Sequence, residues 1–223
     1  REQVEPPLLE AADDRLKTQH ERFAALAALA GMGSSGPQWS DVSDDMVAVM
    51  LAMNPLELSQ WLPALRPIRD DLELPLTRAF TGSSDAGVQY RAAMVLGEMF
   101  NDTPETLIAL VPQAQPAQLS PLLEALKPRA DFFAQRLAAH LDKAIGRPPA
   151  AVINDEQAAV AVNFALALLG LERGEEVWPL LGKARSEHLR TSLVHGVAAA
   201  GISWQSIAAR LQREKDPGRI AAL

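Results

Sequence analysis

The chain has 223 residues and a mass of 24.1 kDa, enough for one large domain or two small ones. Its 48% hydrophobic and 22% charged residues exclude a disordered chain, because they supply enough apolar surface for a core. The net charge of −7 and the pI of about 5.1 argue against nucleic-acid binding, which needs clustered Lys and Arg. The sequence has no cysteine, which excludes disulfides, thiolate zinc sites and thiol catalysis.

The chain begins with Arg1 rather than Met, so we expect it to be a piece of a longer protein. The first thirty residues are too charged for a signal peptide. The most apolar run, residues 158–171, contains Asn163 and fits a buried helix, because a membrane span needs about 20 apolar residues. We therefore expect a cytoplasmic location and no membrane contact from this segment; an anchor elsewhere in the parent protein stays open.

Residues 1–40 predict an N-terminal helix followed by a linker. Pro6 and Pro7 mark a helix start, Gly31 marks its end, and apolar residues with helical spacing lie between them. The Gly, Ser and Pro residues that follow indicate the linker. The domain that comes next is predicted to span residues 41–223 and to be cut at its C-terminal end, because the final GRIAAL has the pattern of a helix start.

The sequence from residue 41 onward consists of apolar segments with helical periodicity, separated by short breaks. No stretch alternates for long with the period of two that a strand requires. Thr103 and Ser203 are predicted helix N-caps, because a hydroxyl there can accept a backbone N–H. The breaks carry Gly, Pro, Asn or Ser and include residues 82–87, 101–104 and 146–150.

An internal repeat is the most informative pattern in the sequence. Residues 64–80 align with residues 125–141 at an offset of 61, so that Leu65-Arg66-Pro67 matches Leu126-Lys127-Pro128. Helical hairpins cannot bury their apolar faces alone, and stacking buries them against neighbours. The sequence therefore predicts an all-α fold, a HEAT-like α-solenoid of stacked helical hairpins. The other matching apolar pairs are Leu58 and Leu119, Trp61 and Leu122, Leu62 and Leu123, Leu72 and Phe133, Leu76 and Leu137, and Phe80 and Leu141.

No motif for catalysis or cofactor binding stands out. There is no GxSxG elbow, and the Gly-rich residues 31–37 lack the GK[ST] ending of a phosphate-binding loop. His188 and His195 lie seven residues apart, whereas ligands of one ion usually lie three or four apart on a helix. We expect His188 on the surface and His195 partly packed. The sequence thus predicts no catalytic, cofactor-binding or metal-binding residue.

Aromatic and basic residues supply the candidates for an interaction surface. Aromatics at helical spacing are more often core than surface, so we expect three of the four tryptophans to be buried. They are Trp39, Trp61, Trp178 and Trp204. We call the two repeated segments around Pro67 and Pro128 the corners, because each is predicted to join two helices. Basic residues near the corners either cap helix C-terminal carbonyls, which we favour, or form an anion-binding ridge. They are Arg66, Arg69, Lys127 and Arg129. The structural or interaction candidates are Trp61, Arg66, Pro67, Arg69, Lys127, Pro128, Trp178 and His195.

Two further patterns point to a known family. The first is an upstream NP…W…LRP element with Asn54-Pro55, Trp61, Leu65-Arg66-Pro67 and Arg69. The second comprises Gln157, Ala159, Val160, Asn163, Ala165, Leu168, Leu169, Gly170, Val177, Trp178, Pro179, Leu180, Leu181, Leu189, Arg190, Ser192, Leu193 and His195. Together they resemble the helical region of planctomycete-type bacterial proteins that join a serine/threonine protein kinase to a formylglycine-generating (sulfatase-modifying factor) domain.

The resemblance covers roughly residues 45–215 in order, and Gly196 stands where the family has a basic residue. It implies that the chemistry belongs to flanking domains and that no catalytic residue carries over to this chain. The kinase would need HRD and DFG elements, which the sequence lacks. The resemblance implies a spacer and docking surface for other domains of the same parent chain, or for a protein or peptide partner.

Three functional hypotheses remain open from the sequence. The leading one is a non-catalytic helical-repeat scaffold or interaction region of a larger multidomain protein, with no cofactor. The second is a stand-alone solenoid module that binds a protein or peptide. The third is a small enzyme with an unrecognised site between helices, which would require a deep polar pocket and strongly shifted titratable groups.

Overall fold

The computed structural model describes residues 3–35, 37–146, 154–178 and 187–213, together with residue 215. All the secondary structure in these ranges is helical, which confirms the predicted all-α class. None of the helices in the described ranges has the length and apolar character to cross a bilayer. The chain divides into two compact units, Arg1–Met99 and Phe100–Leu223.

The first unit has six α-helices in its described part. A helix begins after Asn54 because this side chain accepts the N–H of Glu57 at 2.9 Å and Pro55 occupies the first helical position. In chain order the elements are α1 (Glu5–Asp13), α2 (Gln19–Gly31), α3 (Trp39–Ala52), α4 (Pro55–Leu65), a 3₁₀ turn (Arg66–Ile68), α5 (Arg69–Gly82) and α6 (Ala86–Met99).

The predicted single N-terminal helix is in fact two helices, which corrects that part of the sequence analysis. Asp14 ends α1, and its carboxylate accepts the N–H of Leu16 at 2.9 Å. The hydroxyl of Thr18 then accepts the N–H of Glu21 at 3.2 Å, and the Glu21 carboxylate accepts the N–H of Thr18 at 2.8 Å. This capping box starts α2. Leu16, counted in the predicted apolar stripe, is 97% exposed.

Helix pairs build the core of the first unit. α2 packs on α1 and α4, while α5 packs on α3 and α6. Arginines satisfy carbonyls at two helix ends: Arg22 donates to the Ala12 carbonyl of α1 at 3.0 Å, and Arg91 donates to the Leu51 carbonyl of α3 at 2.5 Å. These carbonyls have no intrahelical partner, so the side-chain donors stabilise the helix ends. The largest buried side chains include Phe23, Met46, Met50 and Phe80.

The second unit contains the remaining helices. Thr103 precedes its first helix as predicted, but the Thr103 hydroxyl bonds Asp102 rather than the helix backbone. Ser203 accepts the N–H of Gln205 at 3.2 Å, as an N-cap should. The elements are α7 (Pro104–Leu110), a 3₁₀ turn (Val111–Gln113), α8 (Pro116–Leu126), a 3₁₀ turn (Lys127–Arg129), α9 (Ala130–Ile145), α10 (Asp155–Gly170), a 3₁₀ turn (Gly174–Glu176), α11 (Glu187–Ala199) and α12 (Trp204–Leu211).

The apolar helix α10 lies at the centre of the second unit. It packs on α8, α9 and α11, which explains why it is apolar on all sides. Its buried Asn163 donates to the carbonyls of Pro112 and Ala114 at 3.2 and 2.7 Å. A Cβ on Gly170 would lie 2.3 Å from Leu123 Cδ1, so glycine permits the close approach of α10 to α8. The prediction of a buried helix here is confirmed.

The predicted repeat of helix, corner and helix is confirmed at the level of backbone geometry. α4 and α8 both have 11 residues, and each is followed by a three-residue 3₁₀ turn and another helix at an offset of 61. Arg66 and Lys127 share a φ of −52° and have ψ values of −38° and −43°. The matched pairs Leu58 and Leu119, Leu65 and Leu126, Leu72 and Phe133, and Leu76 and Leu137 are fully buried.

The tryptophans are less buried than predicted. Among the three whose side chains the structure describes, Trp178 is buried, whereas Trp39 and Trp61 are half-buried. The Trp204 side chain lies outside the described residues. Leucine and phenylalanine make up most of the described core, and the rings of Trp39 and Trp61 lie at its edge.

Candidate functional site

The two corners place their basic and proline residues on the surface. Arg66, Pro67, Lys127 and Pro128 are all exposed. The Lys127 ammonium lies 2.5 Å from a carboxylate oxygen of Glu124, one helical turn back on α8. Such an exposed pair contributes at most about 1 kcal/mol. The prolines therefore set the backbone of each corner, and the adjacent cations are in contact with solvent.

The corner of the first unit uses Arg69 for structure. Its guanidinium donates to the carbonyl of Met99 at 3.3 Å, and Met99 is the last residue of α6. The Nε of Arg69 also lies 3.5 Å from the Asp70 carboxylate. This geometry matches the favoured interpretation, in which a corner cation satisfies a helix C-terminal carbonyl.

The corner of the second unit is arranged differently. The Arg129 guanidinium lies 4.6 Å from the centroid of the half-buried Phe132 ring, and the Arg136 guanidinium lies 4.0 Å from the same centroid. Arg136 also pairs with Glu105 at 3.3 Å. Two cations on one aromatic ring form a surface that can hold an anion, because each stacked guanidinium keeps its edge N–H groups available. Phe132 packs edge-on against Phe133 at 5.6 Å.

This surface continues along α9. His140 stacks on Phe164 of α10, with ring centroids 5.3 Å apart, and Lys143 is exposed one turn further on. Residues three, four and seven apart share one helix face. We call Arg129, Phe132, Arg136, His140 and Lys143 the basic face of α9. Of this set, only Arg129 was predicted as part of an anion-binding ridge; the seven-residue spacing of 129, 136 and 143 is the sequence signal for the other two cations.

The remaining candidates belong to separate elements. Trp61 on α4 contacts Phe23 of α2 edge-on, with centroids 5.6 Å apart. Trp178 is buried next to Gly174. His195 lies on α11 and is exposed, whereas we expected it to be partly packed. The His188 side chain lies outside the described residues. In the described part of the chain, no three His, Cys, Asp or Glu side chains converge to hold a metal ion.

Among the described residues, one carboxyl group, that of Glu21, has a clearly shifted pKa. The backbone N–H of Thr18, and then its hydroxyl, hold the pKa of Glu21 below its ordinary value by donating to the carboxylate. This group belongs to the capping box of α2.

The described part of the second unit contains surface cavities. One of about 110 Å³ lies beside Ser120 and Gly201, and another of about 260 Å³ lies beside Trp178 and Ile207.

Comparison with known proteins assigns no family. No protein-family model, no curated protein and no solved structure matches the chain. Two features of the molecule therefore bear most directly on function: the repeated corners, and the basic face of α9.

Proposed function

We propose that this chain is a non-catalytic helical-repeat scaffold, an interaction region of a larger protein. The observation that carries the proposal is the repeated corner: two helix–turn–helix segments whose first helix, 3₁₀ turn and start of the second helix have the same boundaries at an offset of 61, with four matched pairs of apolar residues fully buried. Duplicated helix pairs that hide their apolar faces on neighbours are typical of repeat proteins, which provide extended binding surfaces.

In this proposal the helix pairs stack as a HEAT-like α-solenoid. A compact protein of 223 residues has a radius of gyration of about 17 Å, and an open stack of helix pairs is longer. Small-angle X-ray scattering on the monomer tests this directly. We expect a radius clearly above 17 Å. A value of about 17 Å, with the scattering profile of a sphere, would contradict the solenoid.

The parent protein is proposed to resemble the kinase and formylglycine-generating proteins, with other domains of the same chain as the first partners and a cytoplasmic location. The departure at Gly196 has a packing reason, because a Cβ there would lie 2.6 Å from Leu166 Cδ1. A basic side chain at this position would require the Leu166 side chain to shift. Sequencing the coding DNA on both sides of the chain tests the assignment: kinase or sulfatase-modifying elements support it, and unrelated flanks count against it.

The non-catalytic part of the proposal is supported by the positions of the candidate residues on separate elements and by the structural role of Glu21. The test is to assay the purified chain for phosphate transfer from ATP and for oxidation of a cysteine peptide. We expect rates equal to those of buffer. An activity that co-elutes with the folded monomer would favour the third hypothesis, a small enzyme. A stand-alone binding module remains the second candidate, and the basic face of α9 is the observation that favours it.

A further inference from the structure

We infer that the basic face of α9 docks an acidic helical segment of a partner protein, whose carboxylates lie about seven residues apart. This inference rests on the proposed interaction role and adds to it the position of the surface and the chemistry of the partner. Its occupants would be the carboxylates of Glu or Asp, held by Arg129, Arg136 and Lys143.

The spacing of the three cations matches one helix. Arg136 and Lys143 lie seven residues apart on α9, which corresponds to about 10.5 Å along the helix axis. Arg129 lies seven residues before Arg136, in the 3₁₀ turn that precedes α9, and its guanidinium is closer to that of Arg136 because the two lie 4.6 and 4.0 Å from the centroid of the Phe132 ring. A partner helix with acidic residues about seven positions apart presents its carboxylates on one face, with a separation comparable to that of these cations. Phe132 holds the guanidinium groups of Arg129 and Arg136 over its ring and so fixes both cations at the start of the row.

The structure contains an internal example of this recognition. Glu105 places a carboxylate oxygen 3.3 Å from Arg136 while Arg136 remains over the Phe132 ring. Stacking therefore leaves the edge of a guanidinium available to a carboxylate. No carboxylate among the described residues pairs with Arg129, although it stacks on the same ring. A carboxylate from a partner would complete the arrangement at Arg129 that Glu105 provides at Arg136.

The charge distribution favours a narrow acidic partner over an extended polyanion. Residues 1–99 hold eight Lys and Arg against fifteen Asp and Glu, and residues 100–223 hold thirteen of each. The whole net charge of −7 thus belongs to the first unit, and the second is neutral overall. On α9 itself the exposed Asp131 lies away from the basic face and pairs with Arg173 at 2.8 Å. The basic face of α9 is a single row of positive charge, which suits one helix better than a nucleic acid or a membrane surface.

The first unit has no counterpart of this surface. At the offset of 61, the positions of Arg129, Phe132 and Arg136 are taken by Ile68, Asp71 and Pro75. A structural need of the corner therefore does not explain the cations, since the same backbone forms without them. Ile68 and Pro75 are buried, whereas Arg129 and Arg136 are exposed, so the second unit offers cations to a ligand where the first has core residues.

The test uses the full chain and a synthetic helical peptide of about 21 residues, roughly 30 Å long, with glutamates seven residues apart. Binding is measured by fluorescence anisotropy at low salt. Replacing the glutamates with glutamine is expected to weaken binding about tenfold or more, because three partly exposed charge pairs each contribute a factor of about two to five. The triple variant R129Q/R136Q/K143Q is expected to lose the same factor. The triple variant R15Q/K17Q/R213Q removes the same charge from exposed positions elsewhere and is expected to bind normally.

A gain-of-affinity variant keeps the test independent of folding defects. Glu105→Gln removes the internal competitor for Arg136, so peptide binding is expected to strengthen about two- to fivefold. Equal binding by the two triple variants would overturn the inference, as would equal binding of the glutamine peptide. Tighter binding of single-stranded RNA, anionic vesicles or a second copy of the chain, lost in R129Q/R136Q/K143Q, would also overturn it. None of these outcomes affects the scaffold proposal, which is judged by the radius of gyration and the activity assays.

Discussion

The two corners share a backbone but use their arginines for different purposes. In the first unit Arg69 and Arg91 donate to the carbonyls at the ends of α6 and α3. In the second unit Arg129 and Arg136 lie on Phe132, and the buried Asn163 satisfies nearby carbonyls instead. The leucines and the proline therefore determine the backbone of the corner, whereas the cations near it have different roles in the two units.

Net charge separates the units in the same way. The first unit carries all of the −7, although several of its arginines face inward to carbonyls. The second unit is neutral, and it concentrates cations on one face of α9. Arginine thus has a structural role in the first unit and a surface role in the second. The following variants test this difference.

The largest effect is expected from the matched core leucines. Leu65→Ala and Leu126→Ala each remove a side chain that is fully buried at the end of a repeated helix. Each is expected to lower the free energy of unfolding by about 2–5 kcal/mol through lost burial and a residual cavity. Urea unfolding measures the loss, and hydrogen exchange assigns it to a unit. Leu74→Ala, at a position 58% exposed, is the control and should change stability by less than about 0.5 kcal/mol. A large loss at only one leucine would show that the two corners differ energetically.

Two helix-terminal glycines provide the next test. Gly170→Ala places a Cβ 2.3 Å from Leu123 Cδ1, so it is expected to cost about 1–3 kcal/mol by forcing α10 away from α8. Gly82→Ala meets nothing within 4 Å at the end of α5, and alanine favours the helix by up to about 1 kcal/mol. Thermal unfolding of both variants should therefore shift in opposite directions. A neutral Gly170→Ala would mean that Leu123 reorients freely.

The two uses of arginine predict different costs for the same substitution. Arg91→Met leaves the Leu51 carbonyl without its side-chain donor in a partly buried position, at an expected cost of about 1–3 kcal/mol. Arg136→Met removes an exposed pair with Glu105 and should cost less than about 1 kcal/mol. Chemical denaturation of the two variants compares them directly. Equal costs would contradict the division between structural and surface arginines.

Much of the fold could be predicted because its main signal is repeated in the sequence. Leu65-Arg66-Pro67 and Leu126-Lys127-Pro128 specify a helix end followed by a tight turn, and the buried leucines recur around them. The break between α1 and α2 was missed although its signal was present, in Thr18 and Glu21. The helical spacing of Leu16 outweighed it, yet that side chain is in solvent.

The candidate site was less predictable, because it depends on how side chains meet. Arg69 and Arg129 look alike in sequence beside their prolines, but one reaches a carbonyl of α6 and the other a ring on its own helix. They also occupy different positions of the repeat, because Arg69 lies two residues after its proline and Arg129 lies one residue after. The sequence alone does not indicate which group each guanidinium contacts.

The smallest expected effect is a difference in the pH response of two capping boxes. The box of α2 uses the carboxylate of Glu21, whereas the box of α10 uses the neutral pair Asn154 and Gln157. Hydrogen bonds from Thr18 favour the charged form of Glu21, so its pKa is lower in the folded than in the unfolded chain. Its contribution to stability is therefore fully present above the unfolded value and is lost as the pH falls through the folded value.

Hydrogen exchange at the start of each helix measures this difference. On acidification we expect protection to fall more at the start of α2 than at the start of α10, because Gln157 does not titrate and α10 loses only the helix-dipole contribution of Asp155 and Glu156. Glu21→Gln keeps an acceptor for the Thr18 N–H without the charge, and it should make the start of α2 respond to pH as α10 does. Thr18→Ala removes one side of the box and should cost about 1 kcal/mol at neutral pH. If both helix starts lost protection together, the acid response would belong to the whole fold rather than to Glu21.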